Sequence, residues 1–239
     1  MAIFTISDLH LSLDTDKSME VFGYAWNNYI QRIYDNWTSM IGNEDTVIVG
    51  GDISWAMHLK DCKRDFSFLN SLPGKKLLFK GNHDYWWESM TKMNAFAKEN
   101  GFDTFSFMQN NCVICEDALI CGTRGWSLPA DGGFGDDDRK IYQRELLRLE
   151  LSFEEGNRIC KQTDFEPSKR ICVFHYPPFS REGDIDAEII QLLKKYSVTH
   201  CIYGHLHSAG TSFAVEGVVE GIQFYLASGD YIAFSPIKL

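Results

Sequence analysis

Short apolar runs alternate along the chain with longer segments whose apolar positions recur every three or four residues. Runs at 2–7, 46–49 and 76–79 predict strands, and each is followed by a helical pattern, at 25–41, about 60–72 and 86–98. The order is βαβαβα. In the third helical pattern Trp86, Met90, Met93 and Ala97 recur at helical spacing, which reads as a core-facing stripe.

Beyond Gly101 the strand candidates shorten to 104–108, 111–115 and 119–122, with Glu116-Asp117 as a tight turn, so a hairpin is expected. A loop rich in glycine and aspartate spans 128–138 and leads into a charged helix over 139–155, with Tyr142, Leu146, Leu149 and Phe153 on one face. Asp136, Asp137 and Asp138 suit a helix N-terminus, through capping and the dipole, better than a calcium loop. Strands resume at 170–174, 199–203 and 223–227, with a helix at 187–195. No repeat or low-complexity linker divides the 239 residues, and that length fits one large α/β domain or two small ones. Nothing in the pattern argues for two, so a single domain over 1–239 is expected.

Composition adds mainly exclusions. Hydrophobic residues at 44% and charged residues at 23% are those of a globular protein. No apolar run approaches the roughly 20 residues that span a bilayer. The first residues pass straight into a strand pattern with no basic region or cleavage site, so a cytoplasmic protein without a membrane partner is expected. Seven cysteines are scattered, most in apolar runs, and are read as buried reduced thiols. Cys112 and Cys115 have the spacing of half a zinc knuckle, but no second pair follows and a strand would point them to opposite faces. A net charge of −10 leaves no basic surface for long nucleic acid. It does not exclude a phosphate ester, because bound cations can supply a positive field at one point.

The candidate chemistry lies where strands end. The first ends in Ser7-Asp8-Leu9-His10, the second in Gly50-Gly51-Asp52 and the third in Gly81-Asn82-His83-Asp84. Later ones end in Phe174-His175-Tyr176-Pro177 and Gly204-His205-Leu206-His207. Open α/β sheets set the carboxyl ends of their strands along one edge, so these side chains are expected to converge. Carboxylate, amide oxygen and imidazole are donors that first-row divalent ions favour. Five of the seven histidines are used in this way. His58 and His200 are left as a surface residue at a helix entry and a partly buried strand residue.

The ordered set DLH, GGD, GNHD, HYP and GHLH, spanning residues 8 to 207, resembles the calcineurin-like metallophosphoesterases. The resemblance implies a four-layer α/β/β/α sandwich with two mixed β-sheets and a dinuclear metal site. In the family pattern Asp8, His10 and His207 hold one ion, Asn82, His175 and His205 hold the other, and Asp52 bridges them. His83 faces the substrate and assists the leaving group. Asp84 either supports His83 or a ligand, or caps the following helix. The implied activity is hydrolysis of a phosphate ester by a bridging hydroxide, with two divalent or mixed-valence transition metal ions drawn from Mn, Fe, Zn or Co.

Protein serine/threonine phosphatases of that superfamily read GDxVDRG and GNHE, whereas this chain reads Gly51-Asp52-Ile53-Ser54-Trp55 and GNHD. The departure argues against a phosphoprotein and for a small phosphomonoester or phosphodiester, nucleotides included. The competing functions are a non-catalytic interaction module of the same fold and a nuclease. Complete motif donors weigh against the first and acidic charge against the second. Arg124 with Trp126, and Arg181 after the His175 motif, are candidate substrate contacts, set against simple pairing of each arginine with one of 33 acidic residues. Between the two, Arg124 is preferred, because a glycine-bearing loop can close over a ligand.

Overall fold

The computed structural model describes residues 1–15 and 17–239. The first elements are β1 (Ile3–Ile6), α1 (Tyr29–Met40), β2 (Thr46–Val49), α2 (Lys63–Ser71), β3 (Lys75–Leu78), α3 (Met90–Glu99) and β4 (Phe105–Phe107). There follow β5 (Val113–Cys115), β6 (Ala118–Gly122), α4 (Asp136–Thr163), β7 (Lys169–Val173) and α5 (Ala187–Lys195). The chain closes with β8 (His200–Tyr203), β9 (Gly217–Val219), β10 (Ile222–Leu226) and β11 (Ile237–Lys238). Two compact units result, Met1–Phe107 with Ala227–Leu239 and Met108–Leu226.

The first unit holds a sheet in the order β11-β1-β2-β3-β4, parallel except for β11, which runs antiparallel to β1. All four residues of β1 and of β2 are buried, as expected of parallel strands covered on both faces. The core beside this sheet is aromatic: Phe66 of α2 meets Trp86 and Phe105 edge-on at 5.0 and 5.3 Å between centroids. The expected helix at 86–98 begins later, at Met90 behind Ser89, and Trp86 and Trp87 are buried ahead of it.

The second unit holds the order β5-β6-β7-β8-β10-β9, a parallel centre flanked by antiparallel β5 and β9. The α/β class with two mixed sheets is therefore observed. The charged helix is longer than expected, because α4 continues to Thr163. A Cβ at Gly156 would lie 2.9 Å from Leu119 Cδ2 and 3.1 Å from Cys121 Sγ, so this glycine lets the helix rest on β6. All seven cysteines are free thiols, six of them buried and Cys115 half-buried. No helix among the described residues is long and apolar enough to cross a membrane.

One buried carboxylate ties the first unit's loops to a helix. Asp65 of α2 accepts from Leu13 N–H at 2.8 Å and from the Ser54 hydroxyl, so the loops after β1 and β2 are both fixed to it. Burial pushes its carboxyl up from 3.8 to about 6, against those two hydrogen bonds. A folded value above the unfolded one gives stability that is complete below the unfolded pKa and lost as pH rises through the folded one. We expect the stability of the native protein relative to Asp65→Asn to fall by about 2 kcal/mol between pH 4 and 7. Denaturant unfolding of both proteins across that range measures it; parallel curves would contradict it.

Candidate metal centre

In the first unit the loops that follow β1 and β2 are locked to one another by their backbones. Asp8 N–H donates to Gly51 O, His10 N–H to Asp52 O and Leu11 N–H to Ile53 O, each at 2.9 Å. Asp8, His10 and Asp52 all adopt left-handed backbone, with φ of 59°, 44° and 51°. For non-glycine residues this costs about 1–3 kcal/mol each and persists where the surroundings over-determine it. The three are at most 2% exposed, which puts two carboxylates and an imidazole inside one loop cluster. His10 Nε2 lies 3.6 Å from one Asp52 oxygen, and His83 N–H donates to the other at 2.8 Å.

Gly81 is what lets the third loop come so close. A Cβ there would lie 2.0 Å from Asp52 Oδ1 and 2.2 Å from Asp52 N. Gly81→Ala must therefore displace Asp52 or the loop. We expect it to destabilise the fold by about 1–3 kcal/mol, the usual range for overpacking, and to lower metal content. Thermal unfolding with metal analysis checks this; wild-type values for both would contradict it.

Asp84 fastens the second and third loops together. Its fully buried carboxylate accepts from Gly81 N–H at 2.8 Å, Ile53 N–H at 2.9 Å, Ser54 N–H at 3.3 Å and Trp86 Nε1–H at 3.0 Å. Burial, and after it the charge of Asp52, raises its carboxyl to about 6 against the backbone donors. It does not cap α3, which starts six residues later at Met90.

Aromatic rings surround the first unit's imidazoles. Trp55 stacks on His10 at 5.1 Å and stands 4.4 Å from His83, while Trp26 meets His10 edge-on at 5.6 Å. Trp55 directly follows the GGDIS segment, and that adjacency was the signal for it in the sequence. Asn82 lies half-buried between Gly81 and His83.

The second unit presents His175 just past β7 and His205 and His207 just past β8. His175 is fully buried; its N–H and that of Tyr176 both donate to Arg124 O, at 3.0 and 2.9 Å, and Gly204 N–H donates to His175 O at 3.1 Å. His205 takes left-handed backbone at φ 71°, and its ring lies 5.2 Å from that of His175. Tyr176 covers His205 at 4.2 Å, and Trp126 covers Tyr176 at 5.2 Å.

The two candidate arginines are placed differently. Arg124 is 16% exposed, lies 3.8 Å from buried Glu145 and sits 4.5 Å over the Trp126 ring. Glu145 also accepts from Arg148 at 2.6 Å and from the Thr123 hydroxyl. Arg181 is exposed and, with Trp126, lines a cavity that reaches His205. His58 is an exposed residue ahead of a 3-10 turn, and His200 is half-buried on β8 with Thr199 Oγ1 at 2.8 Å.

Two mixed α/β sheets whose strand ends present carboxylate, amide and imidazole groups are the equipment of a metal-dependent hydrolase. The chain belongs to the calcineurin-like phosphoesterase family, which it matches over residues 1–209, a stretch that takes in all five motifs. No match is found among curated proteins. Similar solved structures include a phosphopantetheinyl hydrolase from Mycobacterium tuberculosis, at 13% identity and a TM-score of 0.57, over 100% of this chain and 95% of that one. A protein from Thermus thermophilus is similar at 12% identity and a TM-score of 0.53, over 99% of this chain and 97% of that one. A protein of unknown function from Aquifex aeolicus matches at 16% identity and a TM-score of 0.50, over 99% of this chain and 95% of that one. Identities this low bear on the fold alone.

Proposed function

We propose that the chain hydrolyses small phosphate esters at a two-metal centre. Asp8, His10 and His207 would hold one ion and Asn82, His175 and His205 the other, with Asp52 serving both. The observation that carries the reading is the burial of Asp8 and Asp52 beside His10 on left-handed backbone. Buried carboxylates are costly to keep ionised unless a cation balances them, and here they sit on left-handed backbone of the kind that gathers at functional sites. The donors are oxygen and imidazole nitrogen with no thiolate, a set that fits Mn, Fe, Zn or Co.

When bound, two such ions supply hydroxide at neutral pH and neutralise the phosphoryl oxygens as charge develops. The chain's own residues do the rest. Asp84 acts as a positioning residue, holding the loop that carries Asn82 and His83 against the loop that carries Asp52. Trp55 restricts the His83 ring by packing 4.4 Å from it. His83 donates a proton to the departing alcohol oxygen, or stabilises it by hydrogen bonding.

Turnover of p-nitrophenyl phosphate and bis-p-nitrophenyl phosphate with each of the four metals tests the proposal. Expected is hydrolysis of at least one ester that disappears with a chelator and returns with metal. Bound metal without turnover of either ester would instead favour a non-catalytic module.

A further inference from the structure

Within the second unit a cavity of about 330 Å³ opens beside His205, at the lower end of the range for small-ligand sites. Trp126, Asp131, Tyr176, Arg181, His205 and Phe213 line it and decide its chemistry. Trp126, Tyr176 and His205 form a continuous aromatic wall, with centroids 5.2 and 4.2 Å apart along it. That wall is braced from behind. Trp126 Nε1–H donates to Asp138 Oδ1 at 3.0 Å, and Arg124, anchored beside Glu145, packs on its ring. A braced indole face is a stacking surface already in its binding geometry.

Two polar groups complete the cavity. Asp131 is fixed on the wall by accepting Leu128 N–H at 2.6 Å, and its carboxylate can accept further from ligand N–H or O–H groups. Arg181 lies 5.9 Å from the Phe213 ring, and among the described residues no carboxylate pairs with it. The chain has 33 acidic residues to 23 basic ones, so an unpaired guanidinium at a cavity mouth is notable as an anion receptor.

We infer that this cavity binds the alcohol portion of the substrate, and that the substrate class is nucleotides bearing a second phosphoryl group. The base stacks on Trp126 and Tyr176, Asp131 accepts from its amino group, and Arg181 takes the phosphoryl group that is not hydrolysed. The place of this cavity in catalysis rests on the hydrolase reading; the binding preference does not.

The test uses hydrolysis-resistant phosphonate analogues of adenosine 3′,5′-bisphosphate and adenosine 5′-monophosphate. Each is titrated calorimetrically into the metal-loaded full-length protein and into Arg181→Gln, an exposed substitution that leaves the core intact. Expected is a preference of about tenfold or more for the bisphosphate analogue in the wild type, the usual worth of one charge-assisted contact, reduced to about threefold or less in the variant. No preference in the wild type, or the same preference in both proteins, would overturn the inference. Turnover of p-nitrophenyl phosphate by the same wild-type sample separates the two ideas. Preference without turnover would defeat the hydrolase reading and support the cavity assignment; turnover without preference would do the reverse.

Discussion

Asp52→Asn is expected to abolish most turnover and to leave the protein short of metal, while the fold survives. Asparagine keeps an oxygen that can accept the His83 N–H bond, which Asp52 Oδ1 accepts at 2.8 Å in the native chain. It loses the negative charge that the proposed two-metal centre would share between its ions and the partner that His10 Nε2 approaches at 3.6 Å. A fall in kcat/KM of at least about 10²- to 10³-fold is expected, the scale of losing one preorganised charge-stabilising group. Metal analysis should show clearly fewer ions per chain than in the wild type. Wild-type stoichiometry with wild-type turnover would remove Asp52 from the centre.

His83→Ala should separate the two readouts. The contact between His83 and Asp52 is made by the backbone N–H, which alanine retains. What is lost is the ring held against Trp55. Turnover is therefore expected to drop by about 10²- to 10⁴-fold, the usual contribution of a positioned general acid, with metal content close to wild type. The drop should be larger for an alkyl phosphate than for p-nitrophenyl phosphate, because the poorer leaving group needs the proton more. Equal metal loss in His83→Ala and Asp52→Asn would show that the ring serves as a ligand.

The candidate donors were legible because each follows an apolar run that needs no distant information to be read as a strand. The runs ending at Ile6, Val49, Leu78, Val173 and Tyr203 are strands in the structure, and the motif residues follow each of them directly. Less legible was what holds those residues. Asp84 could support a neighbour or cap a helix on sequence alone, and only the positions of Ile53, Ser54 and Gly81 N–H show it binding two loops together. The reason for glycine at position 81 is likewise a contact with residue 52, remote in sequence.

Short elements were missed for a simple reason. β9 and β11 have three and two residues, too few to show alternation, and β11 gains its identity by pairing with β1 from the far end of the chain. The helix expected to end at residue 155 runs on through Gly156 and Asn157. Poor helix formers interrupt a helical pattern in sequence, but at Gly156 the contact with Leu119 and Cys121 outweighs propensity. Arg124 illustrates the same limit. Its loop left a ligand contact and pairing with an acidic residue both open, and nothing nearby in sequence named buried Glu145, on a helix some 20 residues later, as the group it meets.

Metal stoichiometry measured together with turnover bears most directly on the two-metal proposal. Stripped protein titrated with manganese, and separately with zinc, iron and cobalt, should bind two ions per chain with at least one of them. Hydrolysis of p-nitrophenyl or bis-p-nitrophenyl phosphate should rise in step with occupancy from a negligible start. Saturation at one ion or none, or undiminished hydrolysis in the stripped protein, would contradict the account.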